Sequence, residues 1–432
     1  MKKRLFLVVT IFIVFSCEQY HNNGGAENTG SFKIAEVKAK ELLAPSYGDN
    51  DPSLKTAAEG ANDFAFRLNA VLVKNNAGKN FVCSPFSVWM PLAALVNAAD
   101  SQFKDALLTS LGASGISPDD VNKTASRMLY DLTKLRDIEE EGYYNPLKIV
   151  NAIFVDNKVT LRKDFAQAFM DFYRGSSINV DFASPDAVDA VNNWASKNTG
   201  GLITNLVEKF NPLTFAAIAN AIYYSDRWRL EFNPDETKDD VFHAPVGDRT
   251  VPFMLRRGGG QIYYEDEKIQ AVPLGFLHNG GLYILLPKSG GIDELVFSMT
   301  NDYFNEIQRN SVLAEGRLLL PRFLIENKTE GLQEALESLG VPLFEGETIT
   351  GLITENIPLS LTDAMQKAVI KVDEKGTTAA AVTVLENGAT STGPQPEIPF
   401  EMVCDRPFMF ILYDYTYDGR SQVLFTGVVN QP

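Results

Sequence analysis

The chain has 432 residues, of which 45% are hydrophobic and 22% are charged, a composition typical of a globular protein. Its 55 acidic residues outnumber its 39 basic residues and give a formal net charge of −16 at pH 7. This excess of negative charge argues against nucleic acids and anionic lipid surfaces as partners of the folded part.

The first sixteen residues have the pattern of a signal peptide. The cations KKR precede an apolar run over residues 5–15, which is short for a membrane span. The run ends at Cys17 in the sequence VFSC, which resembles the lipobox of bacterial lipoproteins, although Phe15 is bulkier than usual there. We therefore expect export and diacylation of Cys17, with a membrane anchor in the periplasm or on the cell surface. A plain secretory signal is the alternative.

The segment after the signal is polar, rich in Gly and Asn, and has no sustained period. Such composition is typical of a flexible tether, which we predict over residues 17–55. Without residues 1–16 the chain loses three cations, and its formal net charge becomes −19. No Pro- or Gly-rich break divides the remainder, so we predict one domain over residues 56–432, starting near Ala57.

Helical periodicity comes early in this domain, at Ala61, Phe64, Leu68 and Val71, and again over 165–172. Strand-like runs follow at 216–224, 281–287, 317–325, 367–372, 407–413 and 422–429. Helices and strands interleave unevenly and show no internal repeat. The pattern therefore predicts an α+β domain built on large, mostly antiparallel sheets, and argues against a doubly wound sheet or a solenoid.

One run of small and β-branched residues stands beside a long loop. Residues 372–384 read VDEKGTTAAAVTV, and the next fifteen, LENGATSTGPQPEIP, have little to bury. Its Thr and Val residues favour a strand, whereas its three Ala residues favour a helix. No charge or Pro lies between Gly376 and Leu385, so the run could enter the middle of a sheet. An interior strand that is already in place is the alternative.

The residues needed for catalysis are scarce. The chain has three histidines, His21, His243 and His278, and it lacks HExxH, CxxC and P-loop patterns. We therefore expect no enzyme activity, no catalytic residue, no metal site and no cofactor. Cys83 and Cys404 could pair in an exported protein, but their apolar surroundings favour separate buried thiols.

Six motifs, in chain order, resemble those of the serpin family and cover nearly all of residues 57–432. They are NFVCSPFS at 80–87, VNAIFVD at 150–156, NWASKNTGGLITNL at 193–206, NAIYYSDRW at 220–228, VDEKGTTAAA at 372–381 and MVCDRPFMFIL at 402–412. A helix is expected over residues 90–99, after the first motif.

The resemblance implies three β-sheets, eight or nine helices and an exposed reactive loop, here over about residues 374–400. It also implies a suicide inhibitor: a target serine protease cleaves the loop and forms an acyl-enzyme, and the hinge strand then inserts into the central sheet. A non-inhibitory relative that only binds or is simply cut is the alternative within this fold. A solute-binding lipoprotein is the alternative outside it.

The resemblance also assigns residues to roles. The reactive bond, sixteen residues after Glu374, lies between Thr390 and Ser391, with Asn387, Gly388, Ala389 and Thr392 as alternative neighbours. The hinge comprises Glu374, Gly376, Thr377, Thr378, Ala379, Ala380 and Ala381. Sheet opening involves Ser84, Ser87, Asn220, Gln366 and Trp228. Gln366 replaces the His of many members, but its amide can still donate and accept.

The loop composition limits the target protease. No Lys or Arg lies between Gly376 and Cys404, so a trypsin-like specificity pocket finds no partner, and Phe400 is the one aromatic residue there. We expect elastase-like or subtilisin-like serine proteases, with papain-like cysteine proteases second. The protein is expected to act as a monomer, and no basic cluster indicates a heparin-type site.

Overall fold

The computed structural model describes residues 7–16, 51–133, 146–344, 346–376, 398–416 and 418–432. Nine α-helices lie in these ranges: α1 (Pro52–Asn75), α2 (Pro85–Leu95), α3 (Ser101–Ser110), α4 (Pro118–Thr133), α5 (Lys163–Tyr173), α6 (Asp186–Asn198), α7 (Ile292–Ser298), α8 (Asn301–Asn310) and α9 (Leu332–Ser338). A short 3-10 helix spans Pro234–Glu236.

Fifteen strands lie in the same ranges. They are β1 (Leu7–Ser16), β2 (Phe81–Cys83), β3 (Leu147–Asp156), β4 (Gly175–Val180), β5 (Thr214–Tyr224), β6 (Lys238–Ala244), β7 (Gly247–Glu265), β8 (Ile269–Gly275), β9 (Gly281–Pro287), β10 (Val312–Pro321), β11 (Phe323–Lys328), β12 (Ser360–Val372), β13 (Ile398–Val403), β14 (Phe408–Tyr415) and β15 (Ser421–Val429).

The central sheet has six strands in the order β11-β12-β1-β5-β3-β4. Adjacent strands in this sheet are antiparallel, except that β3 and β4 are parallel to each other. The remaining strands follow the path β13-β10-β7-β8-β9-β14-β15-β2, with β6 paired to β7. The long strand β7 joins two sheets, because most of it pairs with β6 and β10 while its last two residues pair with β8. The α+β prediction is confirmed.

Helix α2 lies between the sheets and contacts β5, β1 and β15. All of its side chains are buried, as expected for an apolar helix surrounded by protein. Pro85 occupies its first turn, where no N–H is needed, and the Ser84 hydroxyl accepts from the Ser87 N–H at 3.2 Å. These two residues start the helix ahead of the expected range of 90–99, and it ends at Leu95.

Most predicted strands agree with the structure, but the run 317–325 is two strands in different sheets. Arg322 interrupts the run because its N–H donates to the Pro252 carbonyl at 3.0 Å. Pro321, just before it, has no N–H to donate. The chain therefore leaves β10 and enters β11 of the central sheet within one residue, a change that apolar periodicity does not reveal.

The N-terminal part differs from the expectation in two respects. Helix α1 begins at Pro52, capped by Asp51, which accepts from the Ser53 N–H at 2.9 Å, so regular structure starts ahead of residue 56. Residues 7–16, within the expected signal peptide, form strand β1 of the central sheet. An uncharged run rich in Val and Ile suits either an exported leader or a central strand. Among the described residues, no helix has the length and apolarity of a membrane span.

Candidate functional site: a strand slot and its hinge

The position between β5 and β12, here called the slot, is filled by β1. Leu7 pairs with Tyr224 on one side and Ile370 on the other, at the end of the sheet where β12 finishes. Ser16 pairs with Thr214 and Ser360 at the far end. β1 is antiparallel to both neighbours, so the slot presents a ladder edge on each side to a strand running in this direction.

The slot accepts apolar side chains on both faces of the sheet. Ile11 and Ile13 are 0% exposed and belong to the core between the two sheets. Val14 is 6% exposed and joins the smaller core beside α6 residues such as Val191. The sequence LVVTIFIVFS carries no charge and therefore suits these buried positions.

A tight turn, residues 373–376, follows β12 and is called the hinge turn. The Gly376 N–H donates to the Asp373 carbonyl at 3.3 Å, and Gly376 has a φ of +64°. A turn that ends in a residue of positive φ typically joins two antiparallel strands. Residues 373–376 thus form a hydrogen-bonded turn at the end of β12.

Gly376 is required by close packing as well as by its φ. A Cβ at this position would lie 2.5 Å from the backbone nitrogen of Trp228. Trp228 is 2% exposed, stacks on Phe276 with ring centroids 5.0 Å apart, and donates from Nε1 to the Asp373 carbonyl at 2.9 Å. The backbone N–H of Trp228 donates to the Lys375 carbonyl at 3.3 Å. The hinge turn thus rests directly on Trp228.

Glu374 anchors the hinge turn through two side chains, and the three residues are called the hinge latch. Its carboxylate is bound by the Arg322 guanidinium, with Nε at 2.7 Å, and by the Thr237 hydroxyl at 2.6 Å. Burial alone would raise the pKa of the Glu374 carboxyl, but these hydrogen bonds outweigh it and hold that pKa below its ordinary value. Its backbone carbonyl also accepts from the Phe232 N–H at 2.9 Å.

Polar residues lie where α2 meets the middle of β12. The Gln366 amide accepts from the Ser84 N–H and donates to the Ser84 carbonyl, both at 3.0 Å. The Ser84 hydroxyl donates to the Leu424 carbonyl at 2.7 Å, which connects the two sheets. Gln366 therefore uses both the donor and the acceptor expected of it, and it fastens β12 to the start of α2.

Asn220 lies on the opposite side of the slot, in β5. It donates to Asn151 Oδ1 at 2.8 Å, and Asn151 in turn donates to the Tyr173 carbonyl at 2.7 Å. Two buried oxygens, Asn220 Oδ1 in β5 and Ser87 Oγ in the first turn of α2, which contacts β5 and β1, have no hydrogen-bond partner among the described residues. The strand residue between Asn220 and Gln366 is Ile11, which offers no polar group.

The structure thus places Asn220 and Gln366 on the two strands that flank the slot, and Ser84 against Gln366. Trp228 lies at the entrance with Glu374 and Gly376, and Ser87 lies in the first turn of α2. The other predicted site residues lie outside the described part of the chain: Cys17, Thr377, Thr378, Ala379, Ala380, Ala381, Thr390 and Ser391. Sequence reasoning missed Arg322, Thr237 and Asn151. The signal for Arg322 was its place after Pro321, at a break in an apolar run, but nothing in the sequence identifies the other two.

The described histidines pair with aspartates, and the two described cysteines are separate buried thiols. His243 Nδ1 lies 2.8 Å from Asp248 Oδ1, and His278 Nδ1 lies 2.7 Å from Asp226 Oδ1. Cys83 and Cys404 are free and buried, and burial raises the pKa of the Cys83 thiol to about 12. Within the described ranges, no group of His, Cys, Asp and Glu has an arrangement that could hold a metal ion.

Comparisons with known proteins agree with this geometry. A family model described as Serpin (serine protease inhibitor) matches residues 59–432. An uncharacterized serpin-like protein of Thermococcus kodakarensis is 28% identical, covering 100% of this chain and 99% of its own length. Antichymotrypsin-2 of Bombyx mori is 30% identical, covering 85% of this chain and 96% of its own length.

The fold of this chain also matches that of proteins whose crystal structures have been solved. The crystal structure of tengpin, a thermophilic serpin, in its native state gives a TM-score of 0.73 at 23% identity, covering 92% of this chain and 100% of tengpin. The family match spans the slot, the hinge turn and the strands on both sides of them. This chain belongs to the serpin family.

Proposed function

We propose that the protein is a suicide inhibitor of serine proteases that accept small, uncharged residues, such as elastase-like or subtilisin-like enzymes, with papain-like cysteine proteases second. The observation that carries the proposal is the slot itself. The ladder edges of β5 and β12 accept a strand antiparallel to both, as β1 shows, and the hinge turn ends at the entrance of the slot.

The reaction begins as ordinary proteolysis. The protease serine oxygen attacks the carbonyl carbon of the reactive bond, here Thr390–Ser391, and the C–N bond breaks. The new amine takes a proton, and an ester joins the two proteins. Release of the chain end then lets residues 377–390 enter the slot, which moves the ester by about 45 Å at 3.3 Å per residue. Such travel would pull the protease from its docking position before water hydrolyses the ester.

The pairing register with β12 supports insertion of the segment that follows Gly376. If the chain continues antiparallel from the hinge turn, residue 377 pairs with Val372 and Thr383 pairs with Gln366. Thr383 then takes the place that Ile11 holds between Gln366 and Asn220. Its hydroxyl would come beside Asn220 Oδ1 and Ser87 Oγ, which lack partners when Ile11 is there.

The one aromatic residue between Gly376 and Cys404 belongs to a strand and is buried. Phe400 lies in strand β13, is 7% exposed and stacks on Tyr263 with centroids 4.4 Å apart. It is therefore held in a sheet and not offered to a protease. The residues between Gly376 and Ile398 contain no Lys, Arg or aromatic side chain. This composition supports targets that accept small residues.

The test is covalent capture. The protein without residues 1–16, here called the processed protein, is mixed with elastase or subtilisin, and a denaturing gel is run. We expect a band at the summed mass of the two proteins, with trypsin as the negative control. Clean cleavage without that band would indicate a non-inhibitory substrate, and strong stoichiometric inhibition of trypsin would contradict the specificity.

We also propose that the protein is exported and anchored through lipid on Cys17. The lipobox-like sequence and the polar segment after it support this. Metabolic labelling with a fatty acid should mark the wild-type protein and leave Cys17→Ser unlabelled. Equal labelling of both would contradict lipidation at this residue.

A further inference from the structure

The slot that the hinge strand must enter is already filled in the full chain, by the segment that precedes Cys17. We propose that residues 7–16 are a blocking strand that keeps the unprocessed protein from inhibiting, and that removal of the segment before Cys17 opens the slot. The inference rests on the proposed function, because the block matters only if the loop has to insert.

The direction of β1 makes it a direct competitor of the hinge strand. It starts at Leu7, near the hinge turn, and ends at Ser16, beside the first residue of β12. A loop that turns back after Gly376 would run the same way between the same two strands. Each edge of β5 and β12 can form only one ladder, so one strand must leave before the other can pair.

The side chains of β1 fit the slot as a hinge strand must. Ile11 and Ile13 are fully buried on the face towards the main core, and Val14 is nearly so on the face towards α6. Under the proposed register, Thr383 and Leu385 would replace Ile11 and Ile13 on the same face. The two segments are uncharged over the part that overlaps, residues 7–13 of β1 and residues 379–385 of the loop, whereas Glu386 would take the place of Val14.

The blocking strand can come from the same chain. Residues 17–50 separate the end of β1 from Asp51, before helix α1. Thirty-four residues can span roughly 110 Å when extended, which exceeds the length of a ten-residue strand several times. The result would be a precursor that is cut as a substrate but cannot capture the protease before export.

The first experiment measures the placement of β1 and does not depend on inhibition. In an unprocessed full-length Cys17→Ser background, Thr10→Cys is combined with Lys367→Cys, its register partner in β12. We expect an intramolecular disulfide, detected by peptide mass mapping. The out-of-register pair Thr10→Cys with Lys371→Cys should remain reduced. A disulfide that forms only between two copies would overturn the same-chain proposal.

The second experiment measures the effect on inhibition. In the same background, Ile11→Asp with Ile13→Asp places two charges in the core and should expel β1 from the slot. We expect the parent to be cleaved without capture, and the variant to give at least tenfold more covalent complex with subtilisin. The matched control Asn22→Asp with Asn23→Asp adds the same charge outside β1 and should behave as the parent.

The two experiments separate failure of this inference from failure of the proposed function. Equal capture by the parent and the Ile11/Ile13 variant would overturn the blocking role and leave the inhibitor proposal supported. An in-register disulfide without capture by the variant or by the processed protein would overturn the inhibitor proposal. Absence of the disulfide would overturn the blocking strand even if the variant failed to fold.

Discussion

At the scale of single residues, the hinge is defined by contacts that hold one turn at the end of the sheet. Gly376 fits against Trp228 because it has no Cβ, and Glu374 is 5% exposed and bound to two side chains. Glycine and the acid could be singled out from the sequence because their spacing resembles the family hinge. Arg322 and Thr237 could not, since they lie 52 and 137 residues from Glu374.

Glu374→Gln should loosen the hinge latch. The neutral amide keeps the shape of the side chain but removes the charge that Arg322 pairs with. Because Arg322 is partly exposed, we expect a loss of about 1 kcal/mol in the free energy of unfolding. Urea unfolding would measure it. Glu236→Gln, which breaks the more exposed pair with Arg257, is the control and should have a smaller effect. Equal losses would contradict the latch.

The contribution of the hinge latch to the free energy of unfolding should depend on pH. The pKa of Glu374 is held below its ordinary value of 4.5, so the folded chain releases this proton more readily than the unfolded chain. The stabilisation is therefore complete above pH 4.5 and is lost as the pH falls through the lowered pKa. The stability difference between wild type and Glu374→Gln should be constant from pH 7 to 5 and shrink in more acidic solution. A difference that grows there would contradict the assignment.

Thr383→Val should weaken the inserted state alone. The substitution keeps the side-chain shape but removes the hydroxyl proposed to meet Asn220 Oδ1 and Ser87 Oγ, at a cost of about 1 kcal/mol. Guanidinium unfolding of the loop-cleaved, processed protein should show the loss, whereas the uncleaved protein should be unchanged. Thr378→Val, on the other face of the segment, serves as the control. An equal loss before cleavage would refute the proposed register.

At the scale of elements, β1 and residues 377–385 share the properties that the slot requires under the proposed mechanism. Neither stretch carries a charge or a proline. These properties can be recognised in a sequence. Which of the two segments occupies the slot cannot, because that depends on competition for the edges of β5 and β12, strands that lie more than 130 residues apart in sequence.

Ala381→Glu should abolish the proposed covalent capture and leave the loop an ordinary protease substrate. In the proposed register this residue lies between Ile222 and Ala368, where Val9 pairs in the structure, so insertion would bury an unpaired carboxylate. The processed variant should be cleaved at the normal rate with at least a tenfold loss of covalent complex on a denaturing gel. Gln395→Glu, on the other side of the reactive bond, should retain capture. Unchanged capture by Ala381→Glu would exclude insertion at this position.

At the scale of the whole molecule, the proposed mechanism requires that the protein without residues 1–16 not yet have its most stable sheet. A strand in the slot gains hydrogen bonds on two sides and closes the core over α2. The central sheet has room for such a strand, since β1 completes it. Under the proposal, the free energy gained by inserting that strand is the work available to move a captured protease.

Cleavage in the loop should therefore raise the melting temperature of the processed protein. Because insertion adds a full central strand, we expect an increase of about 5 °C or more by scanning calorimetry. The unprocessed chain, whose slot holds β1, should show a much smaller change. If the processed protein melts at the same temperature before and after cleavage, no inserted strand has formed.

The sequence alone determined the α+β class and most of the strands. These follow from local periodicity, turn-forming residues and motifs that keep their order along the chain. Through resemblance to a family, it also predicted the hinge and a shared sheet-opening role for Ser84, Ser87, Asn220, Gln366 and Trp228.

Only the tertiary structure decided the contacts among these residues and the identity of the strand in the slot. The latch joins Glu374 to Arg322 and Thr237, and the division of the run 317–325 depends on Pro252, 70 residues before Arg322. Each is a contact between distant parts of the chain. The β1 pairing is the largest example, because an apolar strand carries no local information about which edges it will join.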